Sequence, residues 1–305
     1  MMNGSLTESA VLAEELVKSY GKVKALGGVS LDVRHGETFG IIGPDGAGKS
    51  TLFRLLTSLL VPDSGSAQVE GLDTVKDYRE IRKIIGYMPG KFSLYQDLTV
   101  EENLTFFATL FGTTIDENYH LIEDIYKQIE PFKARMAGKL SGGMKQKLAL
   151  SCALIHKPKV LFLDEPTTGV DPVSRKEFWD MLGRLKNDGI TILVSTPYMD
   201  EAGRCDRIAL IRNGKFLTVN SPAGIIAEFP DRLYSVRSDR MHALLGDLRA
   251  YSGTIRAFSF GESVHLSTGD GFSEDDLRKF LQDRKHNNVE INAIRPSVED
   301  CFMRI

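Results

Sequence analysis

At 305 residues the chain is long enough for two domains, and 42% hydrophobic with 26% charged residues is the composition of a globular protein with a sizeable core. The 38 Lys and Arg against 41 Asp and Glu give a formal net charge of −3, which argues against a dedicated nucleic-acid binder. No apolar run approaches the roughly 20 residues that span a bilayer. Residues 1–10 are polar and unlike a signal peptide. The three cysteines are widely spaced and favour neither a disulfide framework nor a zinc site. We therefore expect a cytoplasmic protein whose membrane role, if any, comes through partners.

Short β-rich runs alternate with helical stretches over about the first 220 residues, which predicts an α/β fold with a mixed or parallel sheet. Two of these runs are continuously apolar, as in strands that are covered on both faces. In chain order we expect a strand over 38–42, a helix over 49–60, strands over 160–163 and 190–194 joined by a crossover helix over 173–185, and a hairpin turn over 212–215. The turn contains Asn213-Gly214, which tolerates the positive φ angles of a type I′ turn.

A domain boundary is predicted near Phe229-Pro230-Asp231, which divides the chain into domains of 1–229 and 230–305. Beyond it the pattern predicts the β-α-β-β-α-β order of a small ferredoxin-like α+β module. Its expected elements are a strand over 233–236, a helix over 240–251, strands over 254–260 and 263–267, a helix over 273–284, a strand over 289–294 and a closing helix over 298–305. This module shows none of the residues of an active site.

A glycine-rich loop follows the strand over 38–42 and opens the helix over 49–60. It matches G-x-x-x-x-G-K-[ST] and consists of Gly43, Pro44, Asp45, Gly46, Ala47, Gly48, Lys49 and Ser50, with Thr51 next in the expected phosphate-binding set. Glycines let the backbone curl around a polyphosphate with its N–H groups pointing inward, and the helix N-terminus adds partial positive charge. We expect Lys49 to contact the β- and γ-phosphates and the Ser50 hydroxyl to bind Mg²⁺. A chance glycine-rich turn is the alternative, and the flanking strand and helix argue against it.

An apolar strand ends abruptly at two carboxylates, Asp164 and Glu165. By itself this pattern is more typical of a solvated strand end. In a protein with a phosphate-binding loop, the strand-end Asp164 is expected to hold Mg²⁺, and Glu165 to orient or deprotonate the attacking water. Glu165 is therefore the predicted catalytic residue, and Ser50 and Asp164 are the predicted metal ligands.

The segment Leu140-Ser141-Gly142-Gly143-Met144-Lys145-Gln146 lies between the loop and the Asp-Glu strand. In isolation it is compatible with a helix N-cap at Ser141 followed by a flexible glycine pair. Together with the two other motifs, it makes the chain resemble the nucleotide-binding subunits of ATP-binding cassette (ABC) transporters over about residues 11–219. The resemblance implies a P-loop NTPase cassette with a helical subdomain over about 91–155, and ATP and Mg²⁺ as cofactors.

Two single residues and the tail of the chain extend this resemblance. Tyr20 is at the place where such proteins stack an aromatic side chain on adenine, although alone it would be taken for a surface or core tyrosine. Asp171 matches a loop that communicates across the cassette dimer. The tail Pro296-Ser297-Val298-Glu299-Asp300-Cys301-Phe302 is similar to the ending of many cassettes of bacterial ABC-2-type drug and antibiotic exporters, and it also fits a terminal helix capped by Ser297.

The resemblance implies two kinds of partner. In the family two cassettes pack head to tail, so that each ATP lies between one subunit's loop and the other subunit's signature, here Ser141-Gly142-Gly143. The helical subdomain of such proteins contacts the coupling helix of an integral membrane permease subunit, and Phe92 and Tyr95 are candidates for that surface. Phe106 and Phe107 are expected to be core residues instead. The chain is thus expected to be peripheral on the cytoplasmic face of a membrane.

Two positions depart from the family pattern. Gly90 stands where the family usually has a glutamine that helps to position Mg²⁺ and water, and Pro197 stands where it usually has a histidine that donates towards the γ-phosphate. Proline has neither a side-chain donor nor a backbone N–H. Gln96 is a conceivable substitute for the missing amide, but its loop position would aim the amide elsewhere. Asp45, where asparagine is common, is a milder change.

The sequence therefore predicts the ATP-binding and ATP-hydrolysing subunit of an ABC exporter, coupled to separate membrane subunits. The alternative is a hydrolysis-impaired regulatory half of a heterodimeric complex, because both departures should slow turnover while binding is retained. A heterodimer is favoured, since a homodimer would contain two impaired sites. Soluble ABC proteins of translation or DNA repair form a third class. They normally carry two cassettes or a long coiled-coil insertion, and the charge of this chain fits poorly with ribosome or DNA binding.

Overall fold

The computed structural model of the protein describes residues 9–304. Residues 1–8 and Ile305 lie outside the described part. Most of the polar N-terminal stretch over 1–10 and the last residue of the predicted closing helix therefore fall outside it. Within 9–304 no helix is both long enough and apolar enough to cross a membrane. The described chain forms two compact units that divide between Pro222 and Ala223.

The first unit alternates strands and helices, as the sequence predicts for an α/β fold. Its strands are β1 Ser9–Tyr20, β2 Val23–Arg34, β3 Thr38–Ile42, β4 Ser64–Val69, β5 Leu72–Asp73, β6 Ile85–Met88, β7 Val160–Asp164, β8 Thr191–Thr196, β9 Arg207–Arg212 and β10 Lys215–Asn220. Its helices are α1 Lys49–Leu56, α2 Tyr78–Ile84, α3 Val100–Leu110, α4 Ile115–Tyr126, α5 Gly142–Leu154 and α6 Pro172–Asn187. Short 3₁₀ segments lie at Glu130–Phe132, Ala137–Lys139 and Met199–Arg204.

A six-stranded sheet within the described residues carries the order β10-β9-β3-β8-β7-β6. Strands β9, β3, β8, β7 and β6 run parallel, and β10 pairs antiparallel with β9 through the predicted hairpin. Asn213 and Gly214 have φ values of 51° and 71°, as a type I′ turn requires. Every residue of β3, β7 and β8 is buried, which is the predicted two-sided burial. The predicted α/β fold class is confirmed.

The helix after the glycine-rich loop ends earlier than the predicted 49–60. α1 stops because Ser58 adopts a left-handed φ of 59°. The Leu59 amide then donates back to the Arg54 carbonyl oxygen at 2.8 Å, and the Arg82 guanidinium donates to the Ser58 carbonyl oxygen at 2.7 Å. A contact from α2 thus helps to set the end of α1, and the local apolar pattern cannot show such a contact.

An antiparallel sheet with the order β2-β1-β4-β5 completes the first unit, and the sequence pattern does not predict it. The pairing of β1 with β2 contains register shifts, and Glu15 inside β1 has a φ of 48°. These irregularities break the period-two alternation by which a half-buried strand is recognised. The sheet matters for the site because β2 contacts the turn between β9 and β10, where the Gly27 amide donates to the Gly214 carbonyl oxygen at 2.8 Å. The Gly214 amide in turn donates to the carbonyl oxygen of Ala47 in the glycine-rich loop at 3.0 Å.

Helices α3, α4 and α5 pack on one another inside the predicted helical subdomain of about 91–155. Capping boxes begin both α3 and α4. Phe107 is partly buried, but Phe106 is 40% exposed, so the expectation of a core position is wrong for Phe106. Phe106 packs edge-on against Tyr95, and their ring centroids lie 5.0 Å apart. Because Tyr95 is itself exposed, this contact leaves Phe106 at the surface.

The second unit is the α+β module that the sequence predicts. Its elements are α7 Pro222–Ala227, β11 Arg232–Arg237, α8 Met241–Ala250, β12 Thr254–Phe260, β13 Ser263–Thr268, α9 Glu274–Asp283, β14 Glu290–Ile294 and α10 Val298–Arg304. The sheet has the order β12-β13-β11-β14, and each neighbouring pair is antiparallel. Leucines of α8 and α9, such as Leu244 and Leu277, form the core with this sheet. The β-α-β-β-α-β order is that of a ferredoxin-like module.

The division between the units precedes the predicted boundary near residues 229–231. One reason is that α7 contacts the end of the chain, where the Cys301 thiol donates to the Ile225 carbonyl oxygen over 3.6 Å. The domain limits of 1–229 and 230–305 stay a prediction.

The tail that is similar to exporter cassettes is held by a buried network around Asp300. Asp300 is fully buried, and its Oδ2 accepts from the Ser297 amide at 2.7 Å and the Ser297 hydroxyl at 2.6 Å. Its Oδ1 lies 2.6 Å from Nδ1 of His265 on β13. The Ser297 hydroxyl also accepts from the Asp300 amide at 3.2 Å, so a reciprocal cap starts α10. The tail residues therefore have the structural role that the helix-cap interpretation assigns to them.

Replacing Asp300 tests this network. Asp300→Ala leaves the partly buried donors of Ser297 and the buried ring of His265 without their acceptor, so the free energy of unfolding should fall by about 3 kcal/mol. Urea denaturation measures the loss. Asp275→Ala, at an exposed position in the first turn of α9, is the control and should cost less than about 1 kcal/mol. Equal losses in the two variants would contradict the role of Asp300.

Candidate active site

The glycine-rich loop joins β3 to α1, and its backbone requires glycine at several places. Gly46 and Gly48 have left-handed φ values of 77° and 106°. A Cβ on Gly48 would lie 2.5 Å from the Ala25 carbonyl oxygen, and a Cβ on Gly43 would lie 2.1 Å from the Ile211 carbonyl oxygen. Strands β2 and β9 therefore pack closely against the loop and fix the path of its backbone.

The first turn of α1 adds groups that are suited to an anion. Lys49-Ser50-Thr51 are the first residues of the helix, whose leading N–H groups have no intrahelical acceptor and carry partial positive charge. Pro44-Asp45-Gly46 at the tip are exposed, while Ala47 at 3% exposure anchors the base. The cradle of left-handed glycines, the helix N-terminus, a lysine and a hydroxyl together fit a polyphosphate with its Mg²⁺ ion.

Lys49 connects the loop to the acidic strand end. Its side chain is 3% exposed, and Nζ donates to the carbonyl oxygens of Gly43 at 2.8 Å and Pro44 at 3.0 Å. Nζ also lies 3.0 Å from Oε1 of Glu165. A buried ammonium needs such compensation by oxygen atoms. The structure thus brings the loop and the predicted catalytic glutamate into contact.

Asp164 and Glu165 lie at the end of β7, beside β8. Asp164 is 3% exposed, and its Oδ1 accepts a 2.5 Å hydrogen bond from the Ser195 hydroxyl. Glu165 has a φ of 51°, an uncommon conformation for a residue other than glycine, and its amide donates to the Ser195 carbonyl oxygen at 3.0 Å. Parallel pairing of β7 with β8 places Asp164 opposite Ser195. Sequence reasoning did not identify Ser195, because only this pairing brings it to the acidic residues.

The signature Ser141-Gly142-Gly143 lies at the start of α5. The Ser141 hydroxyl accepts from the Met144 amide at 3.4 Å, which is the predicted N-cap. A Cβ on Gly143 would lie 3.0 Å from Oγ of Ser174, so the start of α6 packs here. Among residues 9–304 no hydrogen bond or ion pair joins the signature to the glycine-rich loop. The structure therefore separates the signature from the cluster formed by the loop and the acidic pair.

Two other predicted residues have simple local surroundings. Tyr20 is 47% exposed at the end of β1, in the hairpin whose second strand presses against the loop, and its contact with adenine stays a prediction. Asp171 caps α6 by accepting from the amides of Val173 at 3.1 Å and Ser174 at 3.0 Å. The hydrogen bond from the Ser174 amide lowers the pKa of Asp171 below its ordinary value.

Gly90 lies directly beside the acidic pair. A Cβ at this position would lie 3.1 Å from the Asp164 carbonyl oxygen and 3.8 Å from Cβ of Glu165. A side chain at position 90 would therefore start beside the Asp164 backbone and the Glu165 side chain, and glycine supplies none. Gln96 packs elsewhere: its carbonyl oxygen accepts from the Gly138 amide at 2.9 Å, and its Oε1 would lie 3.6 Å from a Cβ on Gly138. These contacts hold Gln96 near Gly138, so they do not support it as the substitute amide.

Pro197 follows the end of β8, next to the loop. The carbonyl oxygen of the preceding Thr196 accepts from the Gly43 amide at 3.3 Å. A donor side chain at position 197 would start at the residue directly after this contact with the glycine-rich loop. Proline offers no such donor.

Glu201 is a second residue that sequence reasoning missed. It is 3% exposed, and its carboxylate accepts from the hydroxyls of Thr167 at 2.8 Å and Thr196 at 2.5 Å, with Nε of Arg175 at 3.8 Å. The network joins the loop after Glu165, the end of β8 and the start of α6. The sequence around position 201 does not distinguish this buried glutamate from an exposed one, because its partners lie in other segments.

An apolar cleft of about 450 Å³ lies between β6 and the helices α3 and α5. Leu59 at 52% and Leu110 at 63% exposure stand on its rim, and Met88 and Phe107 line it. His156 stacks on Phe111 in its wall, with ring centroids 3.8 Å apart, and burial lowers the pKa of His156. Exposed leucines around a concave apolar surface are typical of a protein-binding site.

Comparison with known proteins gives one family. A model described as ABC transporter matches residues 26–168. The probable multidrug ABC transporter ATP-binding protein YbhF of Escherichia coli (strain K12) is 40% identical over 279 residues, which are 89% of this chain and 47% of that protein. The chain thus spans about half the length of this relative. The Nod factor export ATP-binding protein I of Rhizobium sp. (strain N33) is 35% identical over 292 residues, 94% of each chain.

Solved structures agree in fold. The dimeric structure of a post-hydrolysis state of the ATP-binding cassette MJ0796, bound to ADP and Pi, superposes with a TM-score of 0.63 at 27% identity. It covers 69% of this chain and 98% of the cassette. About two thirds of this chain is therefore similar to a nearly complete cassette.

Two loop glycines allow a matched test of this geometry. Gly48→Ala combines a left-handed φ with a clash against the Ala25 carbonyl oxygen and should lower the free energy of unfolding by about 3 kcal/mol. Gly46→Ala has the left-handed φ alone, because its Cβ would meet no atom within 4 Å, and should cost about 1 kcal/mol. Denaturant titration of both variants measures the difference. A larger cost at Gly46 would contradict the contact with β2.

Proposed function

Because the chain belongs to the ABC transporter family of ATP-binding proteins, we propose that it is the ATP-binding subunit of an exporter and hydrolyses ATP with Mg²⁺. One observation carries the proposal: Lys49 lies at the base of a glycine loop that fits phosphates and within 3.0 Å of Glu165, next to Asp164. Phosphate binding and water activation would therefore occur at adjacent points of one sheet edge.

Each residue of this cluster has a role that its chemistry supports. Lys49 and the loop amides would contact the phosphates, and the Ser50 hydroxyl and the Asp164 carboxylate would hold Mg²⁺. When bound, Mg²⁺ supplies positive charge to the phosphate oxygens. Glu165 would orient or deprotonate the attacking water, since its carboxylate accepts protons and is partly exposed. Tyr20 would stack on the adenine.

Turnover at this chain's own site is proposed to be slow. Gly90 adjoins the acidic pair without a side chain, and Pro197 adjoins the loop without a donor. Loss of one preorganised donor to a developing charge commonly costs a factor of about 10²–10³ in rate. Binding should be retained, because the loop amides, Lys49 and Mg²⁺ provide most of the phosphate contacts.

Two surfaces of this chain support two proposed partners. The apolar cleft beside the helical subdomain, with Leu59 and Leu110 on its rim, is proposed to receive a coupling helix of an integral membrane permease subunit. The chain would then be peripheral on the cytoplasmic face of the membrane. The signature Ser141-Gly142-Gly143 lies apart from the chain's own loop, so a second cassette would use it. We favour a heterodimer, because a homodimer would contain two slow sites.

Nucleotide binding tests the central proposal. Lys49→Ala removes a charge-assisted contact with phosphate, so the Kd for Mg-ATP should rise at least about tenfold. Isothermal titration calorimetry measures the Kd. Lys127→Ala, which removes an exposed lysine paired with Glu123, is the control and should bind as the wild type does. If Lys49→Ala binds Mg-ATP as tightly as the wild type, the assignment of the loop is wrong.

The two ATP sites of a cassette dimer give a second test, because each site combines the loop of one chain with the signature of the other. In a complex that is purified through this chain, Ser141→Ala should lower steady-state ATP hydrolysis strongly, because the partner's site would use this signature. Glu165→Gln should lower it much less, since the site to which it belongs is already slow. Loss of activity in Glu165→Gln with full activity in Ser141→Ala would show that this chain's own site is the working one.

A further inference from the structure

The Ser195 hydroxyl lies between the two acidic residues of the proposed active site. It donates to Oδ1 of Asp164 at 2.5 Å and accepts from the Glu165 amide at 3.0 Å. A hydroxyl has a single proton and two acceptor lone pairs, so the Ser195 hydroxyl can donate to Asp164 and accept from Glu165 at the same time. Ser195 has no exposed surface, which excludes bulk water as a replacement partner.

The contact with Asp164 bears on metal binding. A 2.5 Å bond from a hydroxyl to a carboxylate is in the range of charge-assisted hydrogen bonds. With Oδ1 held by Ser195, the lone pairs of Oδ2 remain for Mg²⁺ or a water bound to it. In the part of the chain from 9 to 304, Ser195 is the side chain that donates to Asp164, and Gly90 beside it has no side chain.

The contact with Glu165 bears on the direction of its side chain. Glu165 holds a φ of 51°, which costs free energy in a residue with a Cβ and persists only when its surroundings fix it. Its amide donates to both the hydroxyl and the carbonyl oxygen of Ser195, at 3.0 Å each. From this backbone conformation the carboxylate reaches Nζ of Lys49.

We propose that Ser195 is a positioning residue of the ATPase site, where its hydroxyl orients the Asp164 carboxylate for the metal and fixes the backbone from which Glu165 acts. The inference rests on the proposed function and deepens it. Ser195 acts through the two acidic residues and is assigned no contact with nucleotide. Its removal should therefore affect the metal and the chemical step, and leave metal-free nucleotide binding unchanged.

The experiment uses Ser195→Ala in the full chain, with Mn²⁺ as a spectroscopic substitute for Mg²⁺. Electron paramagnetic resonance measures the Kd of Mn²⁺ in the presence of ADP, and this Kd should rise about 10- to 100-fold, as is common when an outer partner of a metal ligand is removed. The Kd for ATP in EDTA should not change. Single-turnover ATP hydrolysis should slow by a comparable factor.

Two further variants separate positioning from stability. Ser195→Thr keeps the hydroxyl and should restore most of the Mn²⁺ affinity. Ser151→Ala is the matched control, because Ser151 is also fully buried and donates only to the Lys147 carbonyl oxygen at 2.9 Å. It should leave the Mn²⁺ affinity unchanged. Circular dichroism verifies that each variant is folded.

The outcomes distinguish the inference from the function on which it rests. A wild-type chain that binds neither ATP nor Mn²⁺-ADP would overturn both. If the wild type binds both and Ser195→Ala keeps its Mn²⁺ affinity and single-turnover rate, only the inference is overturned. Equal loss of Mn²⁺ affinity in Ser195→Thr would also overturn it, because the hydroxyl would then not be the cause.

Discussion

Parallel pairing of β3, β8 and β7 is the constraint on which the site depends. The carboxyl ends of parallel strands meet at one edge of a sheet, which is where ligands bind in open α/β folds. Here the glycine-rich loop follows β3, Glu165 follows β7, and Ser195 lies near the end of β8. The ion pair of Lys49 with Glu165 and the hydrogen bond of Ser195 with Asp164 are consequences of that arrangement.

The path of the loop depends on both sheets of the first unit. β9 approaches Gly43 through the Ile211 carbonyl oxygen, and β2 approaches Gly48 through the Ala25 carbonyl oxygen. Neither approach leaves space for a side chain, so the glycines serve the packing of the loop as well as its curvature. Strand β2 of the antiparallel sheet thereby helps to shape the glycine-rich loop.

The groups predicted to bind phosphate and those predicted to act in ATP hydrolysis lie in different parts of this sheet edge. The loop, Lys49 and the N-terminus of α1 lie together and make up the predicted phosphate-binding set. The side chains that the family usually adds from neighbouring segments are missing, because positions 90 and 197 are glycine and proline. The buried networks around Ser195 and Glu201 are nevertheless intact. The predicted phosphate-binding groups are therefore present together, while positions 90 and 197 add no donor side chain to the predicted site of the chemical step.

The amino-acid pattern was sufficient to predict the local features of this protein. It predicted the loop, the acidic pair after β7, the buried strands and the order of the second unit, because each depends on residues that are neighbours along the chain. It did not predict the left-handed end of α1, the irregular pairing of β1 with β2, the exposure of Phe106, or the partners of Ser195 and Glu201. Each of these depends on a contact between distant segments, and a pattern read along one segment carries no information about what packs against it.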